Sequence, residues 1–149
     1  MYNIEETYTI LNRICKENDE IYHRYASAIG LSDSALWILY AIYDSDNAFS
    51  QNELCGLWCY SKQTVNSTVK QLEKNGLLFL ERICGTRTSK AVKLTDEGKA
   101  FCSKYIVPII EAEKMALKSM TAEQRETYVL LRKKEHDILE KEFKKINIE

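Results

Sequence analysis

A mainly α fold with one small β element is what this 149-residue sequence predicts, on three observations. Proline occurs once, at Pro108, and glycine five times, too few for the tight turns of an all-β fold. Apolar residues recur at helical spacing along most of the chain. Only residues 77–94 read differently, as two short apolar runs around a polar, basic loop, the pattern of a two-stranded hairpin.

Residues 4–29 read as an amphipathic helix, with Ile10, Ile14, Ile21 and Tyr25 at helical spacing and Gly30 ending it. Ser32 is an N-cap for a second helix, residues 33–43, in which Leu36, Leu39 and Tyr43 share a face with Tyr40 nearby. A turn follows at 44–47. Ser50-Gln51-Asn52-Glu53 is a capping box: the Ser50 hydroxyl accepts from the Glu53 amide while Glu53 reaches back. The short helix it opens is expected to bury Leu54, Leu57 and Trp58. Cys59-Tyr60-Ser61 makes a tight break, and Ser61 caps the next helix, residues 62–75. Val65, Val69 and Leu72 give that helix a narrow apolar stripe, and Gly76 suits a left-handed C-cap. The hairpin comes next, residues 77–83 and 91–94 around a tip at 84–90. Thr95 caps a further helix, with Asp96 and Glu97 at the positive end of its dipole and Pro108 as a kink or restart. Thr121-Ala122-Glu123-Gln124 is a second capping box and opens a last helix carrying Tyr128, Leu131, Ile138 and Phe143.

Composition narrows the class of function. No apolar run approaches the ~20 residues of a membrane span. The first residues lack the basic and then apolar stretch of a secretory signal, so a cytoplasmic protein with no membrane partner is expected. Five cysteines (Cys15, Cys55, Cys59, Cys84, Cys102) form no disulfide framework and read as free thiols. Nothing resembles a nucleophile elbow, a phosphate-binding loop, a dinucleotide fingerprint or a zinc-protease helix, so neither an enzyme nor a cofactor is expected.

Net charge is −1, but its distribution is uneven. Residues 1–59 carry three basic and nine acidic side chains, and residues 60–93 carry seven basic and two acidic ones. A polyphosphate responds to such a local patch within a Debye length of roughly 8–10 Å, whatever the overall charge.

Two short helices joined by a tight break, the second with a polar outer face, describe a helix-turn-helix. Its second helix presents Ser61, Lys62, Gln63, Thr64, Asn66, Ser67 and Lys70, side chains that suit base edges or phosphates in a major groove. Such a face is also what an ordinary solvated helix carries. The basic hairpin that follows weighs for nucleic acid: Arg87 is the candidate for a minor groove, and Arg82 and Lys90 for phosphates. One such helix alone binds mostly without sequence preference, whereas two held ~34 Å apart read successive grooves, which predicts a homodimer.

Residues 50–101 (SQNELCGLWCYSKQTVNSTVKQLEKNGLLFLERICGTRTSKAVKLTDEGKAF) resemble the winged helix-turn-helix core of MarR-type transcriptional regulators. The resemblance is most specific in SKQTVNSTVKQLEKNGLL and in LTDEGKAF after the wing. It implies a mainly α winged helix-turn-helix with a small β-wing, flanked by N- and C-terminal dimerisation helices. The expected domains are 1–30 for the first dimerisation helix, 31–98 for DNA binding and 99–149 for the C-terminal dimerisation helices. It implies a homodimer on a pseudo-palindromic double-stranded operator, acting as a repressor and released by a small-molecule effector or by thiol oxidation. The family wing carries an Asp-x-Arg pair where this chain has Thr86 and Thr88, with Arg87 between them.

Tyr22, Tyr25, Trp37, Tyr40 and Tyr43 read as a core stripe or as the lining of an effector pocket. Cys15, between Arg13 and Lys16, reads as an idle cysteine or as a peroxide-sensing thiol. Cys55 and Cys59, four residues apart, read as small apolar residues packed in the core, and no metal site is expected. The rival function is a winged-helix protein-interaction module that binds no specific DNA.

Overall fold

The computed structural model describes residues 1–45, 49–83 and 90–146. The hairpin tip with Cys84, Thr86, Arg87 and Thr88, and the turn at 46–47, lie outside the described residues. Contacts divide the chain into two units, Met1–Pro108 and Ile109–Glu149.

The first unit begins with α1 (Ile4–Ala28) and α2 (Asp33–Asp44). Asn3 starts α1 with a capping box to Glu6, and the Ser32 hydroxyl accepts from the Ala35 amide to start α2. α2 is the buried centre: Leu36, Ile38 and Leu39 are fully covered. Around it lie α3 (Gln51–Trp58), α4 (Lys62–Lys74) and α5 (Asp96–Tyr105), with Leu54, Val65, Val69, Leu72, Cys102 and Ile106 completing the core. These are the apolar positions whose helical spacing leaves the opposite faces polar.

The sheet has three strands where the sequence reading has two. β2 (Leu78–Arg82) and β3 (Lys90–Leu94) form the expected antiparallel hairpin, with Leu78 opposite Leu94 and Arg82 opposite Lys90. β1 (Phe49–Ser50) pairs with the other edge of β3, Phe49 opposite Val92 and Ser50 opposite Ala91. Two residues carry no periodicity, so this strand is invisible as a pattern. It matters for position, because Ser50 is at once the end of β1 and the N-cap of α3.

A second departure is Leu57, which is 51% exposed rather than buried. A third is Thr68, which packs inward on α4, its hydroxyl 2.9 Å from that of Ser34 on α2. At the far end of α4, Gly76 takes φ +74°, where glycine is the low-cost residue. The chain then passes beneath α5. The Thr95 amide donates to the Leu77 carbonyl at 3.1 Å, and a Cβ on Gly98 would stand 2.0 Å from that same oxygen.

α6 (Val107–Lys118) restarts the helix after Ile106, with Pro108 in its first turn, where a missing N–H costs no hydrogen bond. α7 (Ala122–Phe143) starts at the expected Thr121–Gln124 capping box and buries no residue. Among the described residues no single helix is long and apolar enough to cross a membrane.

Candidate nucleic-acid interface

α4 is amphipathic in a form that leaves a working surface. Val65, Thr68, Val69 and Leu72 seat it against the core. Lys62, Gln63, Asn66, Ser67 and Lys70 are exposed on the opposite side, and Thr64 is half-buried. Ser61 spends its side chain on the cap: its hydroxyl oxygen accepts from the Thr64 amide at 3.0 Å and lies 2.8 Å from the Thr64 hydroxyl. The Ser67 hydroxyl donates back to the Thr64 carbonyl at 2.9 Å. These three hydroxyls keep acceptor capacity but are held locally. The side chains of Lys62, Gln63, Asn66 and Lys70 have no hydrogen bond or ion pair to any described residue.

The wing root adds charge beside this face. Lys93 is neutralised by Glu81 across the hairpin. Arg82 and Lys90 stand directly opposite each other in the β2–β3 register, both exposed and neither paired with an acidic described residue. Like charges facing each other across two strands oppose folding by a fraction of a kcal/mol and are relieved by an anion.

Between α4 and the wing runs a groove of about 430 Å³. Asn66 and Lys70 line it from α4, Lys90 and Leu80 from the sheet, and Gln51 and Asn52 from the first turn of α3. The fold therefore brings together three of the sequence-predicted polar residues and adds Gln51 and Asn52. Those two were legible in sequence only as the interior of the capping box. What aims them is the β1–β3 pairing, which brings the start of α3 beside the wing.

The other predicted residues separate. Tyr22, Trp37 and Tyr40 do cluster, with ring centroids 4.7 and 5.5 Å apart, and Trp58 joins them 4.6 Å from Trp37. The indole N–H of Trp58 is buried there without a hydrogen-bond partner. Tyr25 is held elsewhere, its hydroxyl donating to the Tyr105 carbonyl at 2.9 Å, and Tyr43 makes no ring contact among the described residues. Cys15 is exposed on α1, whereas Cys102 is buried, and burial pushes its thiol up to about 12. Among the described residues no three His, Cys, Asp or Glu side chains converge as metal ligands.

Residues 29–83 match the sequence model of the MarR family. The chain has the MarR-type winged helix-turn-helix fold. The MarR-type fold covers nearly all of it. A putative MarR family transcriptional regulator from Listeria monocytogenes, solved with a 26-mer DNA, has a TM-score of 0.72 and 21% identity over 100% of this chain and 99% of the other. MepR of Staphylococcus aureus in its DNA-binding conformation has a TM-score of 0.75 and 16% identity over 89% and 98%. BpsR of Bordetella bronchiseptica, whose DNA binding is regulated by 6-hydroxynicotinic acid, has a TM-score of 0.67 and 18% identity over 92% and 98%. No curated protein matches the chain in sequence.

Proposed function

We propose that this chain is a transcriptional regulator that binds a pseudo-palindromic double-stranded operator as a homodimer, represses from it, and is released by a small-molecule effector. One observation carries the DNA reading: Asn66 and Lys70 from the exposed side of α4 and Lys90 from the wing line one groove, and Arg82 stands opposite Lys90 in the hairpin. Neighbours in this fold solved with DNA or regulated by an aromatic acid agree with it.

In this reading α4 lies in the major groove. Lys62, Gln63 and Asn66 face base edges, with Ser61, Thr64, Ser67 and Lys70 on base edges or phosphates. One phosphodiester strand runs along the groove beside α4, held by Lys70, Lys90 and Arg82, with the Gln51 and Asn52 amides as further donors. Arg87 reaches the adjacent minor groove. Tyr22, Tyr25, Trp37, Tyr40 and Tyr43 remain the candidates for the effector site, and Cys15 for a peroxide-sensing thiol.

The homodimer rests on uncovered apolar surface. On α1, Ile4, Tyr8, Ile14 and Ile21 are exposed. On α7, Tyr128, Val129, Leu130 and Leu131 are exposed in one turn, so they point to all sides of the helix. That apolar turn, set in an otherwise charged helix, is left uncovered by one copy, and a second copy of the chain supplies the cover.

Selection of bound duplexes from a random library, followed by gel-shift titration at several salt concentrations, tests the proposal. A two-fold symmetric consensus with half-sites about 10 base pairs apart is expected. Absence of any shift, even with random duplex at low salt, would leave the protein-interaction module as the reading.

A further inference from the structure

Thr68 is the only polar or charged residue buried among the described residues, 8% exposed on the core side of α4. The rest of that side is Val65, Val69 and Leu72. The Thr68 hydroxyl lies 2.9 Å from that of Ser34, in the first turn of α2. The Ser34 hydroxyl in turn lies 3.1 Å from that of Ser32, whose oxygen accepts from the Ala35 amide. A line of three hydroxyls therefore runs from the N-cap of α2 to the middle of α4. Such a pair contributes little net stability, since both hydroxyls exchange water for each other and apolar groups of the same shape are nearly neutral replacements. What it adds is direction. Apolar contacts tolerate sliding and rolling, whereas a hydrogen bond weakens steeply as its angle opens.

We propose that the Ser34–Thr68 pair sets the roll of α4 about its own axis and so determines how sharply the chain discriminates between DNA sequences. Resting on the DNA reading of α4, this makes both hydroxyls positioning groups rather than base contacts. α2 is the fixed frame, because Leu36, Ile38 and Leu39 are fully covered. Positions two apart on a helix lie about 200° apart around it. Asn66 and Lys70, two before and two after Thr68, therefore stand on the far side of α4 from the pair, where they line the groove. With side chains ending roughly 5–6 Å from the axis, a roll of about 10° carries each end about 1 Å. Reading by hydrogen bonds needs placement within roughly 0.5 Å. Phosphate contacts carry no sequence information, so the loss falls on discrimination.

The test measures affinity for the operator recovered by selection and for random duplex at low salt, and takes their ratio, which a partly unfolded preparation leaves unchanged. Thr68→Val removes one hydroxyl with little change of volume, and Ser34→Ala removes the other. Each should lower the ratio about tenfold or more through weaker operator binding, with affinity for random duplex unchanged. The double variant should fall no further than the lower single one, because both changes break the same bond. Thr68→Ser keeps the hydroxyl and should discriminate like the parent. A parent-like ratio in Thr68→Val or in Ser34→Ala, or an equal loss in Thr68→Ser and Thr68→Val, would overturn the proposal. A parent protein that binds no duplex, or binds all duplexes equally, would instead remove the DNA reading on which it rests.

Discussion

Residue by residue, the exposed side of α4 divides into side chains already spent on local hydrogen bonds and side chains left free. Asn66 belongs to the second group and borders the groove. A bidentate amide on a base edge discriminates by roughly 1–3 kcal/mol, so Asn66→Ala should weaken operator binding by about that much and relax preference at one base pair. Equal affinity of the variant for the operator and for every single-base mutant, unchanged from the parent, would remove Asn66 from base reading. Lys90 is a different case, because it faces Arg82 across the hairpin. Lys90→Ala should leave the melting temperature unchanged or higher, since it removes a repulsion. It should also flatten the slope of log affinity against log salt by about one, through one lost phosphate contact. A lower melting temperature with an unaltered slope would mean that Lys90 serves the fold and not the nucleic acid.

At the scale of the element, two helix starts control where this surface points. Ser50 holds the first turn of α3: its amide donates to the Glu53 carboxylate at 2.7 Å and its hydroxyl at 2.8 Å. Those two bonds hold the Glu53 carboxyl below its ordinary range. A depressed carboxyl contributes stability above its unfolded value and loses it as pH falls through the folded one. Ser50→Ala also removes the acceptor of the Glu53 amide, and loss of that N-cap should cost about 0.5–2 kcal/mol by chemical denaturation. It should also move the Glu53 titration, followed by NMR, toward the ordinary carboxylate value. A Glu53 titration identical in both proteins would show the hydroxyl to be idle. The second start is that of α5, where Gly98 lies under the Leu77 carbonyl. Backbone on both sides cannot yield as a side chain does, so Gly98→Ala should cost about 1–3 kcal/mol or more. Unchanged stability of Gly98→Ala would mean that α5 can shift off the chain after α4.

Across the whole molecule the dominant feature is apolar surface that one copy leaves in water. α7 buries nothing of its own, yet carries Leu131 at 60% exposure and Phe143 at 64%. Sedimentation of the parent should report twice the 17.3 kDa chain mass. Leu131→Glu should shift the population toward the monomer, and operator binding should fall with it, because paired half-sites need paired α4 helices. A Leu131→Glu protein that remains a full dimer would take that side chain out of the interface.

Most of the fold was readable because its signals are local. Ser32, Ser50, Ser61, Thr95 and Thr121 each cap the helix expected of them, since a cap needs only a hydroxyl and the next three residues. The α4 stripe of Val65, Val69 and Leu72 and the β2–β3 hairpin were readable from periods of 3.6 and 2. Contacts between distant segments left no such trace. Nothing in Phe49-Ser50 announces a strand, because its partner lies about forty residues on and supplies the ladder bonds. Thr68 reads as surface polar until Ser34 on another helix meets its hydroxyl. Leu57 and Cys59 read as core, yet a helix of eight residues ending in a left-handed cap turns both outward. Gln51 and Asn52 join the groove for the same reason: only the pairing of β1 with β3 carries them to the wing. Amino-acid chemistry thus wrote the helices, their ends and the polar side of α4 within a few residues each. Which of those side chains share one groove was written by pairings across the chain, where the stabilising atoms belong to residues that no local window contains.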